Sequence, residues 1–296
     1  MRLVGFMQVS KAKLGNFLMS SKVYIQSLDD LLKLERGPTA KRLILSLLSQ
    51  PRMATLSLRQ LIAWGELLGQ TPAAIRVTAG RLVNEGLLET VGRGVYTIAP
   101  KGLALKNKAS EWITVIDQLR YWKGGWLCIH TAHLSKTNRG DLRKRQRALR
   151  LLGFKEFVDG IWIRPDNLKF NASQMFSKLC ILGLDSNALL LRSDVIKHGQ
   201  ARSPLELWDG NALNASYERG VALLQSSEQK LKGEDLRTVT RETFLVGEHI
   251  IRQINTDPLL PPDCVDTLKR KKLIQSMKQY SKFCHFKWSQ FLALSA

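Results

Sequence analysis

The sequence predicts an α+β multidomain chain: a winged helix-turn-helix near the N-terminus, a central ferredoxin-like βαββαβ unit and a helical C-terminal part. Two patterns carry this. Three capped helical stripes run straight into a β-hairpin signal over residues 39–98, and a β-α-β-β-α-β order fills residues 126–193. Long helical segments after residue 205 supply the third part. The implied divisions are an extension at 1–38, the winged helix at 39–108, the ferredoxin-like unit at 109–200 and the helical part at 201–296.

The first helix begins after Thr39, a side chain able to cap free backbone N–H groups, and carries Leu43, Ile44, Leu47 and Leu48 at helical spacing until Gln50-Pro51. Ser57 caps the second, whose stripe of Leu58, Leu61, Ile62, Leu67 and Leu68 stops at Gly69. Thr71 caps the third, with Pro72 at the first position where its missing N–H is harmless, and the helix runs to about Glu85 before Gly86. Leu87–Val91 and Val95–Ile98 then read as strands joined by Gly92-Arg93-Gly94.

Lys101 to Ser110 reads as a basic link into a Trp-rich stretch. The middle unit follows as a strand at 126–131, a helix from Arg139 to about Leu152, strands around the Asp159-Gly160 turn, a helix at 173–182 and a strand at 188–193. Its sheet is expected to be covered on one side by two helices. Beyond it, 205–231, 235–255 and 267–290 read as helices, the last two separated by the proline-rich segment 257–262.

A chain of 296 residues has room for two or three domains, and 44% hydrophobic with 24% charged residues excludes a disordered or fibrous class. The 45 Lys and Arg against 25 Asp and Glu leave a formal charge of +20, which concentrates polyanions and makes nucleic acid the leading partner class. Basic residues exceed acidic by 16 to 6 over 1–110, 15 to 8 over 111–200 and 14 to 11 over 201–296, so the excess lies in the first two-thirds. Cys128, Cys180, Cys264 and Cys284 form no C-x-x-C pair, which fits a reduced, cytoplasmic setting. Gln8, Lys11 and Lys13 interrupt the N-terminus before any signal or membrane segment, so no export and no membrane crossing is expected.

With Ile75, Ala79, Leu82 and Val83 inward, the third helix turns Ala73, Arg76, Val77, Gly80, Arg81 and Asn84 outward. Small residues at 73 and 80 permit close approach to DNA, Arg76 and Arg81 have the reach for guanine edges or phosphates, and Arg93 at the hairpin tip suits a minor groove. With the cap Thr71 these are the candidate DNA-binding residues. The alternative is that the arginines only solvate an exposed face. The helix from Arg139 carries Arg143, Lys144, Arg145, Arg147 and Arg150 against Asp141 alone; it is either a phosphate or anion contact or a solvated amphipathic helix with Leu142, Leu149 and Leu152 inward. Lys269-Arg270-Lys271-Lys272 has the same two readings.

Three stretches resemble the PaaX-like family, the repressors of phenylacetic acid degradation. Ile75–Leu88 is similar to that family's recognition helix, with Leu87 where a Trp is usual. Trp122–Trp126 with Leu152-Gly153-Phe154 and Gly160–Pro165 resembles its W-D-G-x-W, L-G-F and G-V-W-x-x-P signatures, with Lys123 in place of Asp. Leu207-Trp208-Asp209 with Ala212–Tyr217, and Asp257–Pro261, resemble its C-terminal elements. The likeness spans roughly residues 40–262. It implies a repressor that binds a palindromic operator in double-stranded DNA as a homodimer. It also implies a middle domain shaped like the small ferredoxin-like CRISPR-associated nucleases, and an acyl-CoA effector.

An enzyme is not expected, and neither is a cofactor. Where the nuclease look-alikes hold an acidic residue after the first strand, this chain has Thr131-Ala132-His133, which leaves a phosphodiesterase metal without its oxygen ligands. Cys128, His130 and His133 are three potential metal ligands without a fourth. No G-x-x-x-x-G-K-[ST], H-E-x-x-H or G-x-S-x-G occurs. The competing function is a sequence-tolerant architectural or RNA-binding protein that uses its basic surface.

Overall fold

A computed structural model of the chain describes residues 37–50, 53–197 and 203–295. The extension expected at 1–38, all but its last two residues, and Pro51, expected to end the first helix, lie outside them. The described chain is mixed α/β, with two antiparallel sheets and a helical C-terminal region.

Helix α1 (Ala40–Leu48) starts where Thr39 Oγ1 accepts from the Arg42 amide at 3.3 Å, and buries Leu43, Ile44, Leu47 and Leu48 completely. A short strand β1 (Thr55–Ser57) precedes α2 (Leu58–Leu67), which opens on a reciprocal capping box between Ser57 and Gln60. Helix α3 (Pro72–Asn84) is capped by Thr71 and ends in a Schellman turn. There the Leu87 and Gly86 amides donate to Leu82 and Val83 carbonyls at 2.9 Å each, and Gly86 takes φ +71°, a conformation that suits glycine. Gly65 lets α2 and α3 meet: a Cβ there would lie 2.6 Å from Ile75 Cγ1.

Strands β2 (Leu88–Gly92) and β3 (Val95–Ile98) form the expected hairpin, with a bulge between Thr90 and Gly92 and Gly94 at φ +70°. The sheet order β1-β3-β2 places the unforeseen β1 against β3. The basic link is not a link either: Pro100–Gly102 forms a 3-10 turn and Leu103–Ser110 a helix, α4, packed on α1.

The second sheet contains β4 (Trp126–His130), β5 (Lys155–Val158), β6 (Ile161–Pro165) and β7 (Leu189–Ser193) in the order β5-β6-β4-β7, every pairing antiparallel. Helices α5 (Arg139–Leu151) and α6 (Ala172–Leu182) connect them. Alternation along β4 sends Leu127 and Ile129 into the core with Ala148, Leu149, Met175 and Leu179 of the two helices. Trp126 points the other way. It stacks on Trp208 at 6.3 Å and joins Ile163, Leu260 and Val265 in a second cluster. The expectation of a sheet covered on one side is therefore corrected: C-terminal residues cover part of its second face.

Helices α7 (Gly210–Lys230), α8 (Leu236–Asn255) and α9 (Thr267–Leu294) pack on one another, each capped by an aspartate, Asp209, Asp235 and Asp266. The helix expected from Leu205 begins later because Pro204–Leu207 is a 3-10 turn. Between α8 and α9, Leu259 is held at φ +53°, a backbone conformation costing a branched residue roughly 1–3 kcal/mol. Buried donors offset that strain. Asn167 Nδ2 donates to the Leu259 carbonyl at 2.7 Å, Arg270 Nη1 to Leu260 at 2.9 Å, and Arg164 Nη2 to Pro258 at 3.4 Å. Arg164 also donates to Pro165, Leu152 and Asn167, so the middle sheet and the proline-rich segment share one buried polar network. Burial pulls its guanidinium down to about 10, which leaves it charged at neutral pH.

The N-terminal helices are tied to the C-terminal ones. Trp64 of α2 is fully buried against Phe244, Trp288 and Phe291, with ring centroids 5.6, 5.4 and 5.5 Å away. Arg42 of α1 donates from Nε and Nη2 to Glu248 Oε2 at 2.9 and 2.6 Å, while Ser46 Oγ donates to Glu248 Oε1 at 3.0 Å. Among the described residues, no helix is long and apolar enough to cross a membrane.

Candidate nucleic-acid interface

Burying Ile75, Ala79 and Leu82 fixes the rotation of α3, and Val83 is half-buried beside them. The opposite stripe, at 73, 76, 77, 80, 81 and 84, is exposed throughout. Val77 is 72% exposed, a large apolar side chain set among cations, and a Gly80 Cβ would meet nothing within 4 Å beyond its own helix backbone and chain neighbours. The face is open to a large partner at its centre. Thr71 is exposed too, but its hydroxyl oxygen already accepts from the Ala74 amide at 3.2 Å, so its role is to start the helix.

Arg93 does not join this stripe; it stands exposed in the β2–β3 turn. That turn is braced from behind, because the Leu58 amide at the start of α2 donates to the Gly94 carbonyl at 2.7 Å. The end of α3 is braced by Glu85, whose carboxylate meets Lys41 Nζ at 2.8 Å and Arg81 Nε at 3.5 Å. Its carbonyl accepts from Lys101 Nζ at 2.9 Å. The hydrogen bond from Lys41 is the main reason the Glu85 carboxyl is held below its ordinary range. Arg81 thus projects from a local ion network, whereas Arg76 has only solvent-exposed neighbours on its stripe. Sequence reading missed Lys41 and Lys101: both lie far from α3 along the chain, and no local periodicity links them to Glu85.

The basic helix α5 divides into two groups. Arg139, Arg143 and Arg147 are exposed, Lys144 pairs with Asp141 at 3.2 Å, and Arg150 lies over the Trp162 ring at 5.9 Å. Arg145 is buried, with Nη2 donating to the Ser135 carbonyl at 3.3 Å, so it is structural rather than part of a solvated or phosphate-facing row. Arg270, in the other basic run, is likewise buried. His130 and His133 bring their Nδ1 atoms to 3.2 Å, and His133 Nε2 is 2.8 Å from the Asn187 carbonyl. Among the described residues, no group of three or more His, Cys, Asp or Glu side chains is arranged to hold a metal ion.

No protein-family model matches the chain, and no curated protein matches it. Among solved structures it is similar to the uncharacterized protein Rv0674 from Mycobacterium tuberculosis. The TM-score is 0.55 at 21% identity, over 84% of this chain and 98% of that one. At that identity the likeness speaks to the fold alone.

Proposed function

We propose that the chain is a sequence-specific DNA-binding transcriptional regulator of the PaaX-like kind, a repressor that binds a palindromic operator as a dimer and is released by an acyl-CoA-type effector. On this reading residues 39–98 are a winged helix-turn-helix, α3 enters the major groove and the β2–β3 turn is the wing. The β5-β6-β4-β7 order with two covering helices supports reading the middle unit as ferredoxin-like.

The observation that carries the proposal is the exposed stripe of α3. It combines two arginines with small residues at 73 and 80, directly ahead of a hairpin that presents Arg93. Arginine offers a planar pair of donors matching guanine O6 and N7, and small residues let the helix backbone sit deep in the groove. The charge of +20 supports the electrostatic part of the affinity but supplies no sequence preference.

Selection of duplexes from a randomised pool tests the reading. A regulator enriches one motif with two inverted half-sites, spaced by about one helical turn or a multiple of it. A pool that stays random after repeated rounds favours the sequence-tolerant alternative.

A further inference from the structure

A cleft of about 470 Å³ opens where α1, the 3-10 turn at Glu111–Ile113, α8 and α9 converge. Its wall mixes two chemistries. Trp112, Ile113 and Ile251 supply apolar surface, while Arg42, Arg252, Lys278 and Lys282 bring four cationic groups to a lining whose one carboxylate, among the described residues, is Glu248. Its volume falls in the range of small-molecule sites, about 300–1,000 Å³. A core defect would be apolar throughout, and a simple phosphate contact needs no aromatic wall.

We propose that this cleft binds a small amphipathic organic anion, an aromatic or other apolar body bearing one acidic group. The body lies on Ile113 and Ile251, beside the edge of the buried Trp112, and the acid faces Arg42, Lys278 and Lys282. Glu248 is the one lining group that opposes such a ligand, and it is also the group that ties α1 to α8 through Arg42 and Ser46. The bound anion therefore competes with Glu248 for Arg42. Helix α1, which lines the cleft, also packs on α3. The binding site stands whether or not α3 reads DNA.

The test uses the full chain and two matched fluorescent probes, 8-anilinonaphthalene-1-sulfonate and the uncharged N-phenyl-1-naphthylamine, which share an aromatic body. The sulfonate is expected to bind at least about tenfold more tightly than the amine, and Lys278→Ala/Lys282→Ala to weaken it by about tenfold. Lys271→Ala/Lys272→Ala removes the same charge from positions of the same helix outside the cleft and is expected to change it by less than about twofold. Glu248→Gln is expected to tighten the sulfonate by about threefold and to leave the uncharged amine unchanged, whereas a loosened fold takes up both apolar probes. Equal losses in the two lysine pairs, equal affinity for the two probes, or no gain in Glu248→Gln overturns the proposal. No DNA is present, so failure here is distinct from failure of the proposed regulator.

Discussion

Two arginines on α3 occupy different settings, and this sets what each is expected to do. Arg81 is pre-positioned by Glu85, whereas Arg76 projects from the open middle of the stripe. On the proposed reading, Arg76→Ala or Arg81→Ala costs on the order of 1–3 kcal/mol at one operator, with little loss on random duplex. Equal losses on both duplexes assign them to phosphates instead. Gly80 separates folding from binding. Nothing crowds a Cβ there, so Gly80→Ala is expected to raise stability to urea by about 0.5–1 kcal/mol by improving helix propensity, while Gly80→Glu is expected to keep the fold and, on the proposed reading, to abolish DNA binding. Strong operator binding by Gly80→Glu removes α3 from the interface.

Helix α2 is anchored on α8 and α9 by one aromatic side chain. Trp64 fills a pocket of three aromatic rings contributed by α8 and α9, and Trp64→Ala is expected to cost about 3–5 kcal/mol in urea unfolding through loss of burial and an unfilled cavity. A value near that of a surface substitution shows that α2 does not rest on those helices. Helix α8 also sets a pH limit. Burial, with Arg252 nearby, pulls His249 down from its ordinary 6.5 to about 4, so the folded state holds it neutral. The unfolded chain then binds the extra proton between those values: this stabilisation is complete above about 6.5 and is lost as pH falls toward 4. Denaturant midpoints measured across that interval should decline in the native chain and decline less in His249→Gln.

These elements also mark what was legible in the sequence. Caps at Thr39, Ser57 and Thr71 and the glycine turns at 86 and 94 are local chemistry, and the helices and hairpin fall where those residues put them. Strand β1 is three residues long and exists through its pairing with β3, some forty positions away, so no period announces it. Helix α4 lacks an amphipathic stripe, and its lysines gave it the look of a linker. All eight candidate site residues are exposed, as the pattern required. The burial of Arg145 and Arg270, the Glu85 network and the Trp64 anchor depend on long-range partners that a one-dimensional reading does not contain.

At the scale of the whole molecule, charge and shape make separate contributions. On the proposed reading a chain of +20 attracts any duplex, and the logarithm of its affinity is expected to fall linearly with the logarithm of salt, by about 0.9 for each phosphate neutralised. If Arg93 neutralises one phosphate near the minor groove, Arg93→Ala lowers that slope by about 1 and weakens all duplexes alike. An unchanged slope takes the hairpin out of the interface. For the proposed regulator, selectivity is assigned to the α3 stripe, because bulk charge favours every sequence equally. The most direct measurement is a fluorescence anisotropy titration of the protein against the DNA upstream of its own gene and against random duplex, at one near-physiological salt. A regulator prefers the upstream DNA by a factor of roughly a thousand or more; equal, weak binding to both contradicts the account and leaves a sequence-tolerant basic protein in its place.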